Sequence, residues 1–308
     1  MSARLSGASP AAGPDGLVRI GAQPGAGRDL SFGHTAFPGN RAPYARHVVV
    51  FTSGKGGVGK STVAVNVASA LAQAGDAVGL LDADVHGPSV PRMLQLADER
   101  VRWNDAGQMV PAENFGLKVM SVGLTTPEGD TPLAWRSAVA VSALVQLLTD
   151  VAWGPLDFLA IDLPPGTGDV QLTLAQELPI SAAVVVTTPQ AVATDDVRRA
   201  LRMLLEVGVP VAGVVENMSC FVAPDTGAVY RPFGEGGGRM LAEAYGVPFL
   251  GEIPLDARIR AASDAGTPVA AVGDEGHRAI FSGLAERIRA AAAHASTRGR
   301  PRGAPQEE

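Results

Sequence analysis

The chain has 308 residues, of which 46% are hydrophobic and 18% are charged, and this composition allows one large α/β domain with a substantial buried core. Little room is left for a second full domain. The net charge of −6 argues against a nucleic-acid surface, because a phosphate backbone selects for clustered lysine and arginine.

Targeting signals are sparse. No hydrophobic run approaches the roughly 20 residues of a membrane-spanning helix, so no stable membrane insertion is expected. No basic stretch followed by a hydrophobic core opens the chain, so no secretory signal is predicted. The single cysteine, Cys220, excludes an intramolecular disulfide and fits a reducing compartment, and we expect a cytoplasmic protein. Five arginines within residues 1–46 leave an organelle transit segment open.

The N-terminal part of the chain differs in composition from the rest. Residues 1–46 are rich in glycine, proline, alanine and serine without helical or strand periodicity, and we expect a disordered leader. The predicted domain covers residues 47–294. It opens with a strand at residues 48–51, a helix at 61–74 and a strand at 77–81, which together form a βαβ unit.

Later segments continue the alternation of strands and helices. Nearly continuous hydrophobic strands separated by helices predict an α/β fold with a doubly wound, mostly parallel sheet and helices on both faces. A last helix at residues 276–293 has one hydrophobic face, which suits the core or, less commonly, a membrane surface. The tail, residues 295–308, is expected to be disordered. The further strands are predicted at residues 118–122, 158–161, 182–187, 211–215 and 248–252.

A glycine-rich loop links the first strand to the first helix. It satisfies the P-loop pattern G-x-x-x-x-G-K-[ST] from Gly54 to Ser61. Its backbone N–H groups would face phosphate oxygens, Lys60 would neutralise the β and γ phosphates of ATP, and Ser61 would bind Mg²⁺. The alternative is a glycine-rich turn without a ligand. The predicted nucleotide contacts are Gly54, Lys55, Gly56, Gly57, Val58, Gly59, Lys60, Ser61 and Thr62.

Lysine usage supports the phosphate-binding interpretation. The chain has only three lysines, Lys55, Lys60 and Lys118, and its other basic residues are all arginine. Two of the three lie in the glycine-rich loop. A compact ammonium group fits between phosphate oxygens where a planar guanidinium does not.

Aspartates follow two of the predicted strands. Asp82 and Asp84 come after the second strand, and Asp162 ends the strand at residues 158–161. Ligands of open α/β folds bind at the carboxyl ends of parallel strands, so these side chains are predicted to face the phosphates. We expect Asp84 to position the attacking water, with Asp82 and Asp162 near Mg²⁺, directly or through water. Asp82 could instead cap the following turn.

Several longer blocks carry a family resemblance. The blocks are D-A-D-V-H-G-P-S-V-P-R from Asp82, I-D-L-P-P-G-T-G-D-V-Q from Ile161, V-T-T-P-Q from Val186, V-E-N-M-S from Val215 and G-E-I-P from Gly251. Together with the K-G-G-V-G-K-S loop they make residues 47–290 resemble the Mrp/NBP35 (ApbC-type) iron–sulfur cluster carrier ATPases. These belong to the deviant Walker A group of nitrogenase iron protein and the MinD-like and ParA-like ATPases.

The resemblance implies a function and several residue roles. It implies a homodimer that hydrolyses ATP and transfers iron–sulfur clusters to apoprotein clients. Lys55 would reach across the dimer to the partner's nucleotide, so that Lys55, Lys60 and Asp84 form the catalytic set. Asn217 would contact adenine, although an asparagine after a strand often closes a turn.

The chain departs from the family at the cluster ligands. Cluster-carrying members usually have a C-P-x-C motif after the V-E-N-M-S block, and here Ala223 and Thr226 replace both cysteines. Cys220 would supply only two thiols per dimer of the four that a [4Fe–4S] cluster takes, and it could instead be a small buried hydrophobe. Asp225 or an external thiol could complete a site. The alternative function is a MinD/ParA-like ATP-dependent dimerisation switch that binds a protein or membrane partner.

Overall fold

The computed structural model describes residues 42–85, 87–125, 137–166, 171–174 and 178–297. Most of the predicted leader and tail, together with His86 and residues 167–170 of the motifs above, lie outside the described residues. Within the described part the strands are β1 (Ala45–Thr52), β2 (Val78–Asp82), β3 (Arg102–Trp103), β4 (Met109–Val110), β5 (Ala112–Asn114), β6 (Leu117–Ser121), β7 (Leu156–Asp162), β8 (Ile180–Thr187), β9 (Val211–Asn217), β10 (Phe221–Val222), β11 (Val229–Tyr230) and β12 (Phe249–Ile253).

Helices connect most of these strands. In the described residues they are α1 (Lys60–Gln73), α2 (Val90–Met93), α3 (Val122–Thr125), α4 (Ser137–Thr149), α5 (Ala191–Glu206), α6 (Gly237–Tyr245), α7 (Ala257–Ala265), α8 (Val269–Val272) and α9 (Glu275–Thr297). None of them is both long enough and hydrophobic enough to span a membrane.

One eight-stranded sheet organises the domain, in the order β12-β9-β8-β1-β7-β2-β6-β5. All neighbouring strands are parallel except β5, which pairs antiparallel with β6 at one edge. The central strand β1 pairs with β7 on one side and with β8 on the other. The loop after β1 therefore emerges at the middle of the carboxyl edge. The predicted doubly wound, mostly parallel α/β fold is confirmed.

Both faces of the sheet are covered by helices. Along β1, Val49 and Phe51 pack into a core with α1 and α9, whereas Val48 and Val50 pack into a second core with α4 and α5. This alternation follows from the two-residue side-chain period of a strand, and burial on both faces explains why its sequence is hydrophobic throughout.

The last helix belongs to the first of these cores. Phe281, Leu284 and Ile288 of α9 are all buried against it. The core-facing interpretation of this helix is therefore confirmed over the membrane-surface one. The helix continues to Thr297, a few residues beyond the predicted end of the domain.

The described residues just before residue 47, the predicted start of the domain, already pack against it. β1 starts at Ala45 and not after His47, and Ala42 is already buried. The Tyr44 hydroxyl donates a hydrogen bond to the Leu148 carbonyl at 2.9 Å, and its ring stacks on Trp153. Tyr44 thus packs on α4 and on the segment that follows it.

Candidate nucleotide site

The P-loop connects the buried end of β1 to the first turn of α1. Gly57 and Gly59 have left-handed backbones, with φ of 81° and 82°, which only glycine adopts without strain. A Cβ on Gly59 would lie 2.2 Å from Asn217 Nδ2, and one on Gly54 would lie 2.3 Å from the backbone of Asp196 in α5. The glycines are therefore required by the conformation and close packing of the loop.

The structure brings the predicted phosphate-site side chains together around Lys60. Lys60 Nζ, only 6% exposed, donates a hydrogen bond to Asp162 Oδ1 at 2.6 Å and lies 3.8 Å from Asp84 Oδ2. The Ser61 hydroxyl donates to the second oxygen of Asp162. These contacts join the start of α1 to the end of β7 and to the loop after β2.

Asp82 lies beside this group, but its carboxylate forms hydrogen bonds with other residues. Its Oδ1 accepts a hydrogen bond from Asp84 N at 3.1 Å, and its Oδ2 accepts from Val90 N at 3.2 Å and from the Ser121 hydroxyl at 3.1 Å. These hydrogen bonds go to the segment after β2 and to Ser121, whereas those of Asp162 go to Lys60 and Ser61, and this matches the turn-capping alternative for Asp82 more closely than the expected position near Mg²⁺. Sequence reasoning missed Ser121, although it ends β6 at the same sheet edge and could have been found by that criterion.

Burial controls the charge of the two strand-end carboxylates. Asp82 and Asp162 are paired in register on adjacent strands, and both are fully buried. Burial raises the pKa of Asp82 to about 7, and the neighbouring Asp162 charge adds to the rise. Burial also raises the pKa of Asp162, while Lys60 opposes that increase. A further positive charge would therefore be accommodated favourably here.

The oxygen donors fit a magnesium ion that arrives with a nucleotide. Ser61 and Asp162 offer hard oxygens, and Mg²⁺ is usually held by one or two carboxylates together with substrate phosphates and water. Among the described residues, no group of three or more His, Cys, Asp or Glu side chains could hold a metal ion. The donor set therefore suits a nucleotide-borne ion better than a permanently bound one.

The three lysines have three different environments. Lys55 is partly exposed, and its side chain makes no hydrogen bond or ion pair with the described residues, although its carbonyl accepts a bond from the Ser53 hydroxyl. Lys60 is buried in the carboxylate group. Lys118 Nζ donates to the Trp153 carbonyl at 2.6 Å, away from the loop, so its role is structural.

Asn217 contacts the P-loop from the end of β9. It is buried, and its Nδ2 donates to the Val58 carbonyl at 2.9 Å. The preceding Glu216, which the sequence interpretation did not single out, is also buried, and its Oε2 accepts from Gly238 N at 2.5 Å. Burial raises the pKa of Glu216. The end of β9 thus fixes the P-loop on one side and the first turn of α6 on the other.

The predicted cluster region forms a small hairpin. β10 and β11 pair antiparallel, and Ala223 and Thr226 lie in the turn between them. Cys220, the one cysteine of the chain, precedes β10, is partly exposed, and lies 4.0 Å from the Ser219 hydroxyl. The turn therefore offers no thiol. Val222, Val229 and Tyr230 of the hairpin are exposed.

Comparisons with known proteins agree with this geometry. The family model of ParA, described as NUBPL iron-transfer P-loop NTPase, matches residues 44–289. Proteins named iron-sulfur cluster carrier protein match at 50% identity in Aquifex aeolicus, covering 76% of this chain and 64% of the relative, and at 55% in Deinococcus radiodurans, covering 73% and 64%. One from Pyrococcus abyssi is 48% identical over 79% of this chain and 85% of its own. The chain thus spans slightly less than two thirds of the first two relatives.

Solved structures give the same fold. A nucleotide-binding protein in complex with ADP from Archaeoglobus fulgidus superposes with a TM-score of 0.65 at 38% identity, covering 73% of this chain and 88% of its own. The cell division ATPase MinD of Pyrococcus furiosus superposes with a TM-score of 0.59 at 22% identity, over 80% and 99% of the two chains. The second likeness supports the fold only.

Proposed function

The chain belongs to the family of NUBPL-type iron-transfer P-loop NTPases, and from this premise we propose that it binds and hydrolyses ATP as a homodimer and transfers iron–sulfur clusters to apoproteins in the cytoplasm. The main support for ATP binding is the buried hydrogen bond between Lys60, at the end of the glycine-rich loop, and Asp162. The names of relatives about half identical in sequence support the cargo.

Nucleotide binding begins with an exchange of partners at Lys60. The backbone N–H groups of the P-loop and the N-terminus of α1 attract the phosphates. Lys60 then turns from Asp162 to the β and γ phosphates. Ser61 and Asp162 would hold Mg²⁺, which would neutralise phosphate charge. Asn217, which already fixes Val58, contacts the adenine.

Asp84 is the residue that positions the attacking water. Its carboxylate lies 3.8 Å from Lys60 Nζ, and its side chain is 14% exposed. A carboxylate in that position orients a water toward the γ-phosphate and accepts its hydrogen bond. Asp162, fully buried and bonded to Lys60 and Ser61, lacks the access that this role needs.

Lys55 completes the site from the other protomer. Its partly exposed side chain is unpaired within the described residues, as a group acting on a second chain would be. A cation supplied in trans stabilises charge on the transferring phosphoryl group. The homodimer is therefore part of the catalytic proposal.

The cluster, as cargo, has few protein ligands here. With no thiol in the hairpin turn, a cluster takes at most the Cys220 thiolate of each protomer. Its remaining ligands then come from Asp225, from small external thiols or from the client protein. This arrangement leaves the cluster more exchangeable than a four-cysteine site.

ATP hydrolysis by the full chain tests the enzymatic part of the proposal. Phosphate release should require Mg²⁺ and stop on chelation with EDTA. Absence of turnover with ATP and Mg²⁺ at all protein concentrations, including those that favour a dimer, would refute it.

A second candidate function is favoured by the hairpin turn. A MinD/ParA-like switch needs no thiolates, and Ala223 and Thr226 provide none. Flotation with lipid vesicles, with and without ATP, separates the two functions. Because α9 contributes to the core, the matched truncation should end at residue 297 and leave that helix intact. ATP-dependent flotation that the truncation abolishes would support the switch, and its absence would favour the carrier.

A further inference from the structure

A single carboxylate closes the loop that carries Asp84. Asp82 ends β2, and its two oxygens accept hydrogen bonds from backbone groups at both ends of residues 83–89. Asp84 N donates to Oδ1 at 3.1 Å, and Val90 N, at the start of α2, donates to Oδ2 at 3.2 Å. The position of Asp84 relative to Lys60 therefore depends on the orientation of the Asp82 side chain.

Ser121 fixes that orientation from the neighbouring strand. It is paired in register with Asp82 and is fully buried. Its hydroxyl donates to Asp82 Oδ2 at 3.1 Å and accepts from Gly123 N at 3.0 Å. Since one lone pair of the hydroxyl is taken by Gly123, its proton is directed at the carboxylate. Hydrogen bonds to a charged group are among the stronger ones in proteins.

The residues just after β6 also pack directly on the segment that carries Asp84, residues 83–89. A Cβ on Gly123 would lie 3.1 Å from the ring of Pro88, so a side chain at this position would push the two segments apart by a few tenths of an ångström. Pro88 lies within residues 83–89. The end of β6 thus supports the loop twice, once through Asp82 and once by packing.

The two strand-end aspartates, Asp82 and Asp162, form hydrogen bonds with different residues. Asp162 binds Lys60 and Ser61 of the phosphate site, whereas Asp82 accepts hydrogen bonds from Asp84 N, Val90 N and the Ser121 hydroxyl. The P-loop is built without Ser121. Perturbing Ser121 should therefore disturb Asp84 and leave phosphate binding largely intact.

We propose that Ser121 is a positioning residue for ATP hydrolysis, which acts through Asp82 to hold Asp84 in place, and that Asp82 is a loop clamp and not a magnesium ligand. This inference rests on the proposed ATPase function and adds to it a residue that neither the motifs nor the comparisons single out.

Substitution of Ser121 tests the inference by separating kcat from KM. Ser121→Ala and Ser121→Cys, which lose the strong donor, should lower kcat on the order of 10- to 100-fold, because small misplacement of a catalytic group has effects of this size. The KM for ATP should stay within about twofold. Ser121→Thr, which keeps the hydroxyl, should recover most of kcat. Ser121→Cys preserves the buried volume and decides the matter if the alanine variant does not fold.

Ser69 provides the matched control. It is also a fully buried serine with one donated hydrogen bond, to the Val65 carbonyl within α1. Ser69→Ala should lose comparable thermal stability and keep its kcat. A kcat loss in Ser69→Ala equal to that in Ser121→Ala would show a general stability effect and overturn the proposal.

Magnesium titration provides an independent readout. Half-maximal activation by Mg²⁺ should occur at an unchanged concentration in Ser121→Ala and in Asp82→Asn. A severalfold increase in Asp82→Asn would make Asp82 a metal ligand and overturn the clamp role. Wild-type kcat in both Ser121→Ala and Ser121→Cys would overturn the positioning role of Ser121. An inactive wild-type protein would instead refute the proposed function itself.

Discussion

Lys60 Nζ lies 2.6 Å from Asp162 Oδ1, so the first residue of α1 is bonded to the last residue of β7 at the centre of the sheet edge. Both groups are almost fully buried. The ammonium that is expected to bind phosphate is thus paired with a buried carboxylate. In the proposed mechanism, the phosphates of ATP replace this contact.

Replacing Lys60 should largely remove nucleotide binding. We expect Lys60→Ala to weaken the affinity for ATP by at least about 100-fold, because a charge-assisted phosphate contact is lost from a buried site. Titration with a fluorescent ATP analogue measures this. Lys60→Arg should fail as well, since a planar guanidinium does not fit between the phosphates. Lys118→Ala, which removes a lysine elsewhere, is the control, and normal binding by Lys60→Ala would contradict the site.

Replacing Lys55 should separate binding from turnover. Lys55→Ala should retain ATP affinity but lose turnover on the order of 10³-fold if the side chain acts in trans as a cationic finger. Mixing Lys55→Ala with a hydrolysis-deficient Asp84→Ala chain should restore part of the activity, because one composite site then has both groups. Unchanged turnover in Lys55→Ala alone would contradict a nucleotide site that is shared between two chains.

Replacing Asp84 should trap the protein with ATP bound. Without a carboxylate to position water, Asp84→Ala should bind ATP and accumulate as a dimer that light scattering detects as a doubled mass. The exposed Asp98 offers a control of the same charge, and Asp98→Ala should hydrolyse ATP normally. A monomeric Asp84→Ala protein with normal hydrolysis would count against the assigned role.

The buried carboxylate of Asp82 should make stability depend on pH. Burial raises its pKa from 3.8 to about 7, so between these values the folded protein holds a proton that the unfolded chain has released. Lowering the pH from about 8 to 5.5 should therefore increase the free energy of unfolding of the nucleotide-free protein and raise its Tm by a few degrees. In Asp82→Asn this increase should be much smaller, and an equal increase in both proteins would refute the assignment.

Much of this site could be predicted from the sequence because its residues follow a local rule. Lys60 and Ser61 sit at fixed positions of the P-loop pattern, and Asp84 and Asp162 follow hydrophobic runs that end at one sheet edge. The seven strands predicted from the sequence also alternate with helical segments, as the strands of βαβ units must. In these segments the period of hydrophobic residues and the topology of a parallel sheet leave few alternatives.

The remaining features depend on contacts between segments distant in sequence. Ser121 bonds to Asp82 only because β2 and β6 are adjacent, and strand adjacency is not encoded in either segment. The antiparallel β5 and the short hairpins are too brief to show a period. Glu216 ends a hydrophobic strand, yet its partner Gly238 lies beyond the hairpin. Which of the two strand-end aspartates, Asp82 or Asp162, bonds to the P-loop likewise depends on such long-range contacts.

Iron binding by the protein tests the proposed transfer of iron–sulfur clusters most directly. After anaerobic reconstitution with iron and sulfide, with and without ATP, the wild-type protein should retain near-stoichiometric cluster iron and sulfide per dimer, together with a visible absorption band. Cys220→Ser should lose them, because no other residue in the sequence supplies a thiolate. If the wild-type protein retains no iron in either nucleotide state, it does not carry clusters, and the ATP-dependent switch becomes the better account.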